Sequence, residues 1–258
     1  HDKNRPLFWS PVFIIVTKTR LLASGSTPRM NRTRRMYLIE ALPEPIEQHV
    51  LDVLAAAEPA TIGHFITTGI LSPRIRAHFA NLRAVGTAVT VKMPGADGGI
   101  LHHAMGCARP GDFLVVDRCG ESVTAAMGGA MAYAAKQAGI AGIVIDGYVT
   151  DLGEIREHGV PVWSWGASAI TTRVKGEEGE FCTAVQCGGV VVRPGDVVIA
   201  DENGIVILPP AQALVLARRA IEFQENEKHT LARLAQGEKF PDVVGSRPLI
   251  DAAIDRAR

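Results

Sequence analysis

The chain has no apolar run long enough to cross a membrane. Its best candidate, Leu7 to Val16, spans ten residues and contains Pro11, whereas a membrane helix needs about 20 apolar residues. Basic residues follow this run without a good cleavage region, which also disfavours a secretory signal. We expect a cytoplasmic protein that does not use a membrane.

Two other common signatures are missing. The four cysteines form neither a CxxC pair nor a Cys/His cluster at zinc spacing, which favours reduced, buried thiols. The glycine-rich stretch PGADGG, residues 94–99, matches neither GxGxxG nor a loop ending in GK[ST]. It therefore predicts a turn, and nothing in it supports a nucleotide or methyltransferase cofactor site.

The charges balance overall but not along the chain. Residues 1–36 carry eight basic groups against one acid, and the other residues carry 19 basic and 26 acidic groups. A body with net charge −7 does not favour phosphate contacts, so we expect no nucleic-acid partner. The basic cluster from Arg29 to Arg35 fits a solvated tail better than an RNA- or lipid-binding arm.

The spacing of apolar residues predicts an α/β fold. Helical spacing predicts a first helix over 44–57 and a long charged helix over 210–236. Apolar runs rich in β-formers predict strands over 84–93, 113–116 and 142–145. A small-residue helix over 125–139 separates the last two strands, an order that predicts a parallel pair with a right-handed crossover.

Composition sets the expected domain boundaries. Met30 and Met36 stand just before the first well-patterned helix, so we expect a basic extension over 1–35 outside the fold. One domain is expected over 36–240, because a chain of this length and apolar content can bury a single large core. Residues 241–258 are expected to be a C-terminal tail.

One phrase occurs twice in the chain. The stretch RPGDFLVVD, residues 109–117, returns as RPGDVVIAD at residues 193–201. Each copy has a Pro-Gly turn that leads into an apolar run ending in aspartate. The repeat predicts two similarly built corners.

Several polar or flexible positions follow the predicted strands. Gly128 and Gly129 lie where a helix is predicted to begin, near Thr124, and the free N–H groups of a helix N-terminus attract carboxylates. Close helix packing is the equally good alternative for these glycines. His102 and His103 are adjacent and cannot form an i, i+4 metal pair, so we expect one of them to pack or cap.

Two acids, Asp146 and Asp151, follow the strand predicted over 142–145. Glu154 stands three residues after Asp151, a pattern that favours Asp151 as a helix N-cap with a box-like partner. A carboxylate beyond the end of a buried parallel strand is also where α/β proteins place ligands and hard cations such as Mg²⁺.

Two long stretches carry a family resemblance. The run GGAMAYAAKQAGIAGIVIDGYVTDLGEIREHGVPVW, with GGVVVRPGDVVIADENGIVILP downstream, resembles the family of the regulator of ribonuclease E activity A, which also contains the class II 4-hydroxy-4-methyl-2-oxoglutarate aldolases. The resemblance implies a single-domain, swivelling-domain-like β/β/α sandwich, assembled as a homotrimer or a dimer of trimers. It also implies Mg²⁺- or Mn²⁺-dependent cleavage or decarboxylation of small 2-oxo acids, including oxaloacetate, to give pyruvate.

The resemblance also implies roles for particular residues. Asp151 corresponds to the family's metal ligand, and Glu121 to an acid that orders a metal-bound water. The backbone amides expected to hold a substrate carboxylate are those of Ala126, Met127, Gly128 and Gly129.

Thr150 departs from the family pattern, because the aldolases carry arginine immediately before the metal aspartate. Arginine offers a planar positive fork for a 2-oxo acid, and threonine offers only a short hydroxyl. Arg173 or Lys175 would supply the charge from a nearby loop under one hypothesis, and both are solvated under the alternative.

Three functions follow as hypotheses. The first is a metal-dependent lyase of small 2-oxo acids. The second is a non-catalytic regulatory protein, since a −7 body is compatible with basic partners. The third is an enzyme of the same fold with another substrate, in which Trp163, Trp165 and Tyr148 line an apolar pocket; core packing is the alternative for these aromatic side chains.

Overall fold

The structure of the protein, a computed structural model, describes residues 37–258. The extension expected over 1–35, with its Arg29 to Arg35 cluster, lies outside the described residues. The described part of the chain contains thirteen short strands and eight helices in mixed order. The expected α/β class is therefore confirmed.

The longest strand lies inside the sheet and the longest helix near the C-terminus. In chain order the strands are β1 (Tyr37–Ile39), β2 (Arg76–Ala77), β3 (Ala84–Lys92), β4 (Asp112–Asp117), β5 (Gly142–Ile145), β6 (Tyr148–Val149), β7 (Val162–Ser164), β8 (Gly166–Ala167), β9 (Gly179–Phe181), β10 (Val185–Cys187), β11 (Val190–Val192), β12 (Val197–Ala200) and β13 (Ile205–Leu208). The helices are α1 (Gln48–Ala56), α2 (Pro59–Ile62), α3 (Gly99–Cys107), α4 (Gly129–Ala138), α5 (Leu152–His158), α6 (Pro210–Ala235), α7 (Phe240–Val243) and α8 (Arg247–Arg256).

The main sheet brings the ends of its parallel strands together. Within the described residues it has nine strands, with the path β1-β9-β3-β4-β5-β7-β2 and with β12 pairing both β3 and β13. Strands β3, β4, β5 and β7 run parallel side by side, which confirms the predicted parallel pair around α4. Their carboxyl ends meet at one edge of the sheet, the usual place for a ligand in α/β folds.

The parallel strands face two cores, because side chains alternate along a strand. One face packs against α3, α4 and α5 through a set of apolar side chains that includes Val89, Val91, Leu114, Val116, Ile143 and Ile145. The other face packs against the β10–β11 hairpin through Ala88, Phe113, Val115 and Val144. The order of helices, sheet and hairpin agrees with the expected β/β/α layers.

A third core covers the antiparallel strands. Helices α1, α2 and α6 pack on β12 and β13 through small and branched side chains, among them Leu54, Ile62, Ala213, Ala217 and Ala220. Helix α1 begins four residues later than predicted, because the N–H of Ile46 donates to the Thr87 hydroxyl on β3 at 2.9 Å. Residues 241–258, expected as a tail, contain most of α7 and all of α8, and neither helix has a buried residue.

The repeated phrase forms two matching corners, as predicted. The carboxylate of Asp112 accepts a hydrogen bond from the Arg109 amide at 2.8 Å. The carboxylate of Asp196 accepts one from the Arg193 amide at the same distance. The two aspartates therefore close equivalent turns, one before β4 and one before β12.

The cysteines are all free, but not all buried. Cys182 and Cys187 are buried and Cys107 is half-buried, whereas Cys119 is exposed. The expectation of buried thiols is therefore wrong for Cys119, which lies in the loop after β4. Among residues 37–258, none of the helices combines the length and apolar character that crossing a bilayer requires.

Replacing Trp163 with Ala is expected to lower the free energy of unfolding by about 3–5 kcal/mol. The Trp163 side chain is completely buried, its ring lies 5.7 Å from that of Phe113, and its Nε1 donates to the Asp201 carbonyl at 2.8 Å. Urea denaturation measures the loss, with Leu249→Ala on the exposed face of α8 as the control. A loss no larger than that of the control would contradict a core role and restore Trp163 as a pocket residue.

Candidate active site

The loops that follow the parallel strands pair with one another. β6, which comes after β5, pairs in parallel with β8. Isolated bridges then join Tyr148 to Ala125, Ala125 to Thr171, and Asp97 to Arg173. The loops after β3, β4 and β5 are thereby held side by side at the carboxyl edge of the main sheet.

Helix α4 begins at Gly129, so the prediction of a start near Thr124 is wrong. The amides of Ala125 and Ala126 donate to carbonyl groups of the neighbouring segments at 2.7 Å and 2.8 Å. These cross-segment hydrogen bonds hold the stretch before Gly129 in a strand-like form, although its small residues would suit a helix.

The four amides assigned to a substrate carboxylate are not equivalent. The Ala126 amide is bonded to a neighbouring segment, and the Gly129 amide donates to Oδ2 of Asp151 at 3.0 Å. The amides of Met127 and Gly128 have no acceptor anywhere in the described chain. We call these two groups the open amides, because they are the two of the four assigned amides without an acceptor among the described residues.

Asp151 caps a different helix from the one predicted. It occupies the N-cap position of α5, but its side chain makes no cap bond there, so the capping-box prediction is wrong. Its Oδ2 instead accepts from Gly129 at the start of α4, and its Oδ1 accepts from the Thr150 hydroxyl at 3.1 Å. Its backbone is left-handed, with φ of 55°, a strained conformation that is more frequent at functional sites.

The paired glycines explain how α5 approaches α4. A Cβ on Gly128 would overlap Oδ2 of Asp151 and lie 2.8 Å from Cγ2 of Thr150. A Cβ on Gly129 would overlap Oε2 of Glu154 and lie 2.7 Å from that residue's Cβ. The glycines therefore allow close packing, and they also let two carboxylates lie against the positive end of α4. No sequence pattern predicts this contact for Glu154, which was expected only as the box-like partner of Asp151.

The donor set at Asp151 suits a hard cation that keeps most of its water. The side chain is exposed, and each carboxylate oxygen accepts one hydrogen bond, which leaves a lone pair on each. Mg²⁺ is often held by one or two carboxylates together with waters and substrate oxygens. No group of three or more His, Cys, Asp or Glu side chains in residues 37–258 would form a complete protein cage.

Glu121 is paired with a buried arginine that the sequence analysis missed. Its carboxylate accepts from the guanidinium of Arg118, from the Thr124 hydroxyl at 2.7 Å, and from the amides of Val123 and Thr124. Burial alone would raise the pKa of Glu121, but the hydrogen bonds from Thr124 and Arg118 hold that pKa below its usual range. Glu121 is thus a fixed anion whose oxygens already have protein donors.

The two basic residues proposed to replace the family arginine lie on the adjacent loop. The Arg173 amide donates to the Ala96 carbonyl at 2.9 Å, and the Arg173 carbonyl accepts from Gly98 at 2.8 Å, which fixes the backbone of the loop. The side chains of Arg173 and Lys175 are exposed, and neither has an ion-pair partner among the described residues. Their contribution to the site stays a prediction.

The other candidate residues have structural contacts. Asp146 accepts from Nε1 of Trp165 and from the Gly188 amide, both at 2.8 Å, so it ties β5 to the segments around it. The ring of His103 packs edge-on against Phe181 at 5.2 Å, which confirms that one of the adjacent histidines packs.

Asp97 anchors the loop that carries Arg173 and Lys175. It is almost fully buried, and its carboxylate accepts from the amides of Gly99, Lys175 and Glu177 at 3.0, 3.0 and 2.6 Å. Burial alone would raise the pKa of Asp97, but these amide hydrogen bonds outweigh it and lower the pKa.

Replacing Asp97 with Asn is expected to lower the free energy of unfolding by about 1.5–3 kcal/mol, the usual worth of hydrogen bonds to a charged group. Since the folded-state pKa is depressed, this stability is present above the unfolded pKa of about 3.9 and is lost as pH falls through the folded value. Urea denaturation at about pH 7 and about pH 3 should show the Asn variant losing less stability on acidification than the wild type. Equal acid losses would contradict the role, and exposed Asp255→Asn is the matched control.

The fold and the site together define a class. A mixed α/β domain with an exposed aspartate and open amides at the carboxyl ends of its parallel strands has these groups where α/β folds commonly place ligands. The family model described as RraA-like, Aldolase/RraA, matches residues 50–207, and the chain belongs to that family.

Similar proteins come from several bacteria. A Halalkalibacterium halodurans protein named "Putative 4-hydroxy-4-methyl-2-oxoglutarate aldolase" is 30% identical over 158 residues, which is 61% of this chain and 75% of that protein. A Shewanella oneidensis protein of the same name is 31% identical over 159 residues, 61% of this chain and 93% of that protein. The solved structure of Streptomyces coelicolor RraAS2, described as an unusual member of the RNase ES inhibitor RraA protein family, aligns with a TM-score of 0.65 at 28% identity, covering 72% of this chain and 98% of that one.

Proposed function

We propose that the protein is a divalent-metal-dependent lyase of small 2-oxo acids that releases pyruvate. The observation that carries the proposal is Asp151, an exposed carboxylate on a strained left-handed backbone beside the open amides of Met127 and Gly128. A strained, solvent-facing acid at the carboxyl edge of a parallel sheet is better explained by a ligand than by stability. The names of the aldolase relatives support the same reaction class.

In the proposed reaction the C3–C4 bond of the 2-oxo acid breaks and its electron pair moves towards the 2-oxo group. Protonation at C3 then gives pyruvate. The fragment carrying C4 leaves as CO₂ from oxaloacetate, or, where C4 carries a hydroxyl, as a carbonyl compound after that hydroxyl has lost its proton to water. Mg²⁺ or Mn²⁺ held by Asp151 would act as a Lewis acid on the developing negative charge. The amides of Met127 and Gly128 bind and orient the substrate carboxylate, aided by the dipole of α4.

The threonine at position 150 determines how fast we expect the lyase reaction to be. Its hydroxyl donates to Asp151. Unlike an arginine side chain, it cannot donate two parallel N–H hydrogen bonds to the substrate. We propose that the natural reaction is slow on family substrates or that the natural 2-oxo acid needs no such charge. Arg173 and Lys175 are the described cations on the loop next to Ala125 that would compensate.

We also propose that the protein works as a homotrimer, or a dimer of trimers, in a reducing cytoplasm. Val123 and Ile170 are 54% and 57% exposed, and both flank the strand-like stretch before α4. A neighbouring subunit would cover these apolar side chains. The four free thiols support a reducing compartment.

Light scattering after gel filtration is expected to give three or six times the 27.6 kDa chain mass. Val123→Lys is expected to lower that mass, because a charge would be buried without a partner. A monomeric wild-type protein would contradict the proposed assembly.

A second candidate function is non-catalytic regulation. The observation that favours it is Thr150 together with the fold-wide likeness to the RraAS2 structure, whose description names an RNase inhibitor family. Under this hypothesis a partner protein binds the acidic surface and the site turns over no 2-oxo acid. A pull-down that returns no stable partner, alongside metal binding at Asp151, would argue against it.

The lyase proposal is tested with a substrate panel. Oxaloacetate and 4-hydroxy-2-oxo acids are incubated with the full chain and Mg²⁺, Mn²⁺ or a chelator, and pyruvate is measured with a coupled lactate dehydrogenase assay. Metal-dependent release above the rate of metal alone is expected for at least one substrate. Absence of release with either metal, combined with activity in a Thr150→Arg variant, would reject the lyase function for the natural protein.

A further inference from the structure

Arg118 is a charged side chain buried completely at the edge of the candidate site. It follows β4 directly, and its guanidinium donates to the Gly95 carbonyl at 2.9 Å and to the Thr124 hydroxyl at 2.8 Å. It also forms the ion pair with Glu121. One side chain therefore links the loop after β3 to the loop after β4.

The aliphatic part of the Arg118 side chain also contacts the loop after β5. A Cβ on Gly147, which follows β5, would lie 2.6 Å from Cγ of Arg118. Because Gly147 has no side chain, the Arg118 side chain has room to pack against it. The loops after three consecutive parallel strands all contact this residue.

The carboxylate of Glu121 has no lone pair left for water. Oε1 accepts from the amides of Val123 and Thr124 at 2.9 and 3.0 Å, and Oε2 accepts from the Thr124 hydroxyl and from Arg118. Two carboxylate oxygens offer about four acceptor positions, and these contacts use all of them. A water on a nearby cation would have to displace a protein donor.

Stability alone does not explain the pairing of Arg118 with Glu121. Nε of Arg118 is buried without an acceptor among the described residues. An unsatisfied donor on a buried cation is costly, and buried ion pairs are often no more stable than apolar replacements. This costly arrangement lies directly before the segment from Ala125 to Gly128.

We infer that Arg118 and Glu121 are a positioning pair that holds the loop from Thr124 to Gly128, and with it the open amides, beside Asp151. Glu121 acts as the fixed counter-ion of Arg118 and does not order water on a cation. This positioning role rests on the proposed function, since the site being positioned is the one that would bind the 2-oxo acid. The role of Glu121 therefore differs from the one implied by the family resemblance.

The experiment uses the full chain with Glu121→Gln, Arg118→Met and the double variant. Asp151→Asn is the site control, and Glu157→Gln is the control for loss of an exposed acid on α5. Hydrogen exchange is followed by mass spectrometry in peptides covering 121–129, with peptides covering 197–208 as the reference for global stability. Mn²⁺ binding is measured by electron paramagnetic resonance.

Each single variant is expected to raise exchange in 121–129 by at least about tenfold while 197–208 stays unchanged, because only the local segment is released. Glu121→Gln is expected to leave the Mn²⁺ dissociation constant within about threefold of wild type, and Asp151→Asn to raise it by at least about tenfold. The double variant is expected to have a higher thermal midpoint than Glu121→Gln, since it removes the unpaired buried charge.

Two results would overturn the inference. One is a loss of Mn²⁺ affinity in Glu121→Gln equal to that in Asp151→Asn, which would make Glu121 part of the cation site. The other is unchanged hydrogen exchange in 121–129 in both Glu121→Gln and the double variant. This second result tests the inference even if Arg118→Met does not fold. Absence of Mn²⁺ binding by the wild type would reject the proposed metal-dependent function, and the exchange result alone would then decide the pairing.

Discussion

Replacing Asp151 with Asn is expected to lower metal-dependent pyruvate release by at least about 100-fold, because loss of a direct ligand should exceed the 10- to 100-fold effect of losing an outer partner. Asparagine suits this position for two reasons. It tolerates the left-handed backbone as well as aspartate does, and its carbonyl oxygen can still accept the hydrogen bond from Gly129. The charge is removed while the backbone and the cap of α4 remain.

The coupled assay and a Mn²⁺ titration measure the two consequences of this change together. Glu157→Gln is the matched control, because Glu157 is exposed on α5 and loses the same charge six residues away. Unfolding by urea checks that neither variant loses more than about 1 kcal/mol, the typical cost of a changed cap. Wild-type activity in the Asp151→Asn variant would show that the catalytic centre lies elsewhere.

Replacing Thr150 with Arg is expected to raise kcat/KM for oxaloacetate or a 4-hydroxy-2-oxo acid by roughly 10²- to 10³-fold, the usual worth of one strong donor to a developing anion. The position is favourable because Thr150 is only half-buried and its amide is fixed by the Met127 carbonyl at 2.9 Å. The change also removes the hydroxyl that occupies Oδ1 of Asp151.

Two controls separate a fitted guanidinium from simple added charge. Thr150→Lys places a point charge without the planar fork and should give a smaller gain. Thr171→Arg places the same guanidinium on the neighbouring segment, which is bridged to Ala125, and should give none. A rate in Thr150→Arg at or below that of the wild type would reject a missing arginine as the cause of a slow reaction and leave a natural 2-oxo acid that needs no such charge.

Local patterns were sufficient for most of the fold. The strand predicted over 142–145 agrees with β5, and the repeated phrase forms the two corners closed by Asp112 and Asp196. Both depend on contacts between residues that are close in the chain, and residue spacing and turn composition predict such contacts. The start of α4 was misplaced because the amides of Ala125 and Ala126 bond to distant segments, and those bonds override helix propensity.

The candidate site was predictable in its position but less so in its contacts. Asp151 follows a buried parallel strand, and that position alone pointed to a ligand or a cap. Its actual partner, Gly129, lies 22 residues earlier in the chain, and no local pattern encodes such a pair. One weak sequence feature pointed to an ion pair of Arg118, namely the acid three residues later at Glu121. The burial of Arg118 depends on three loops that come together only in the fold.

A crystal structure of the protein with Mn²⁺ and oxalate, an unreactive mimic of the pyruvate product, would show whether Asp151 holds the cation. We expect an anomalous peak within about 2.5 Å of an Asp151 carboxylate oxygen, with an oxalate carboxylate on the amides of Met127 and Gly128. We also expect Glu121 to remain paired with Arg118 in that complex. A Mn²⁺ ion bound away from Asp151, or Asp151 still bonded only to Gly129 and Thr150 at saturating Mn²⁺ and oxalate, would contradict a metal-binding role for Asp151.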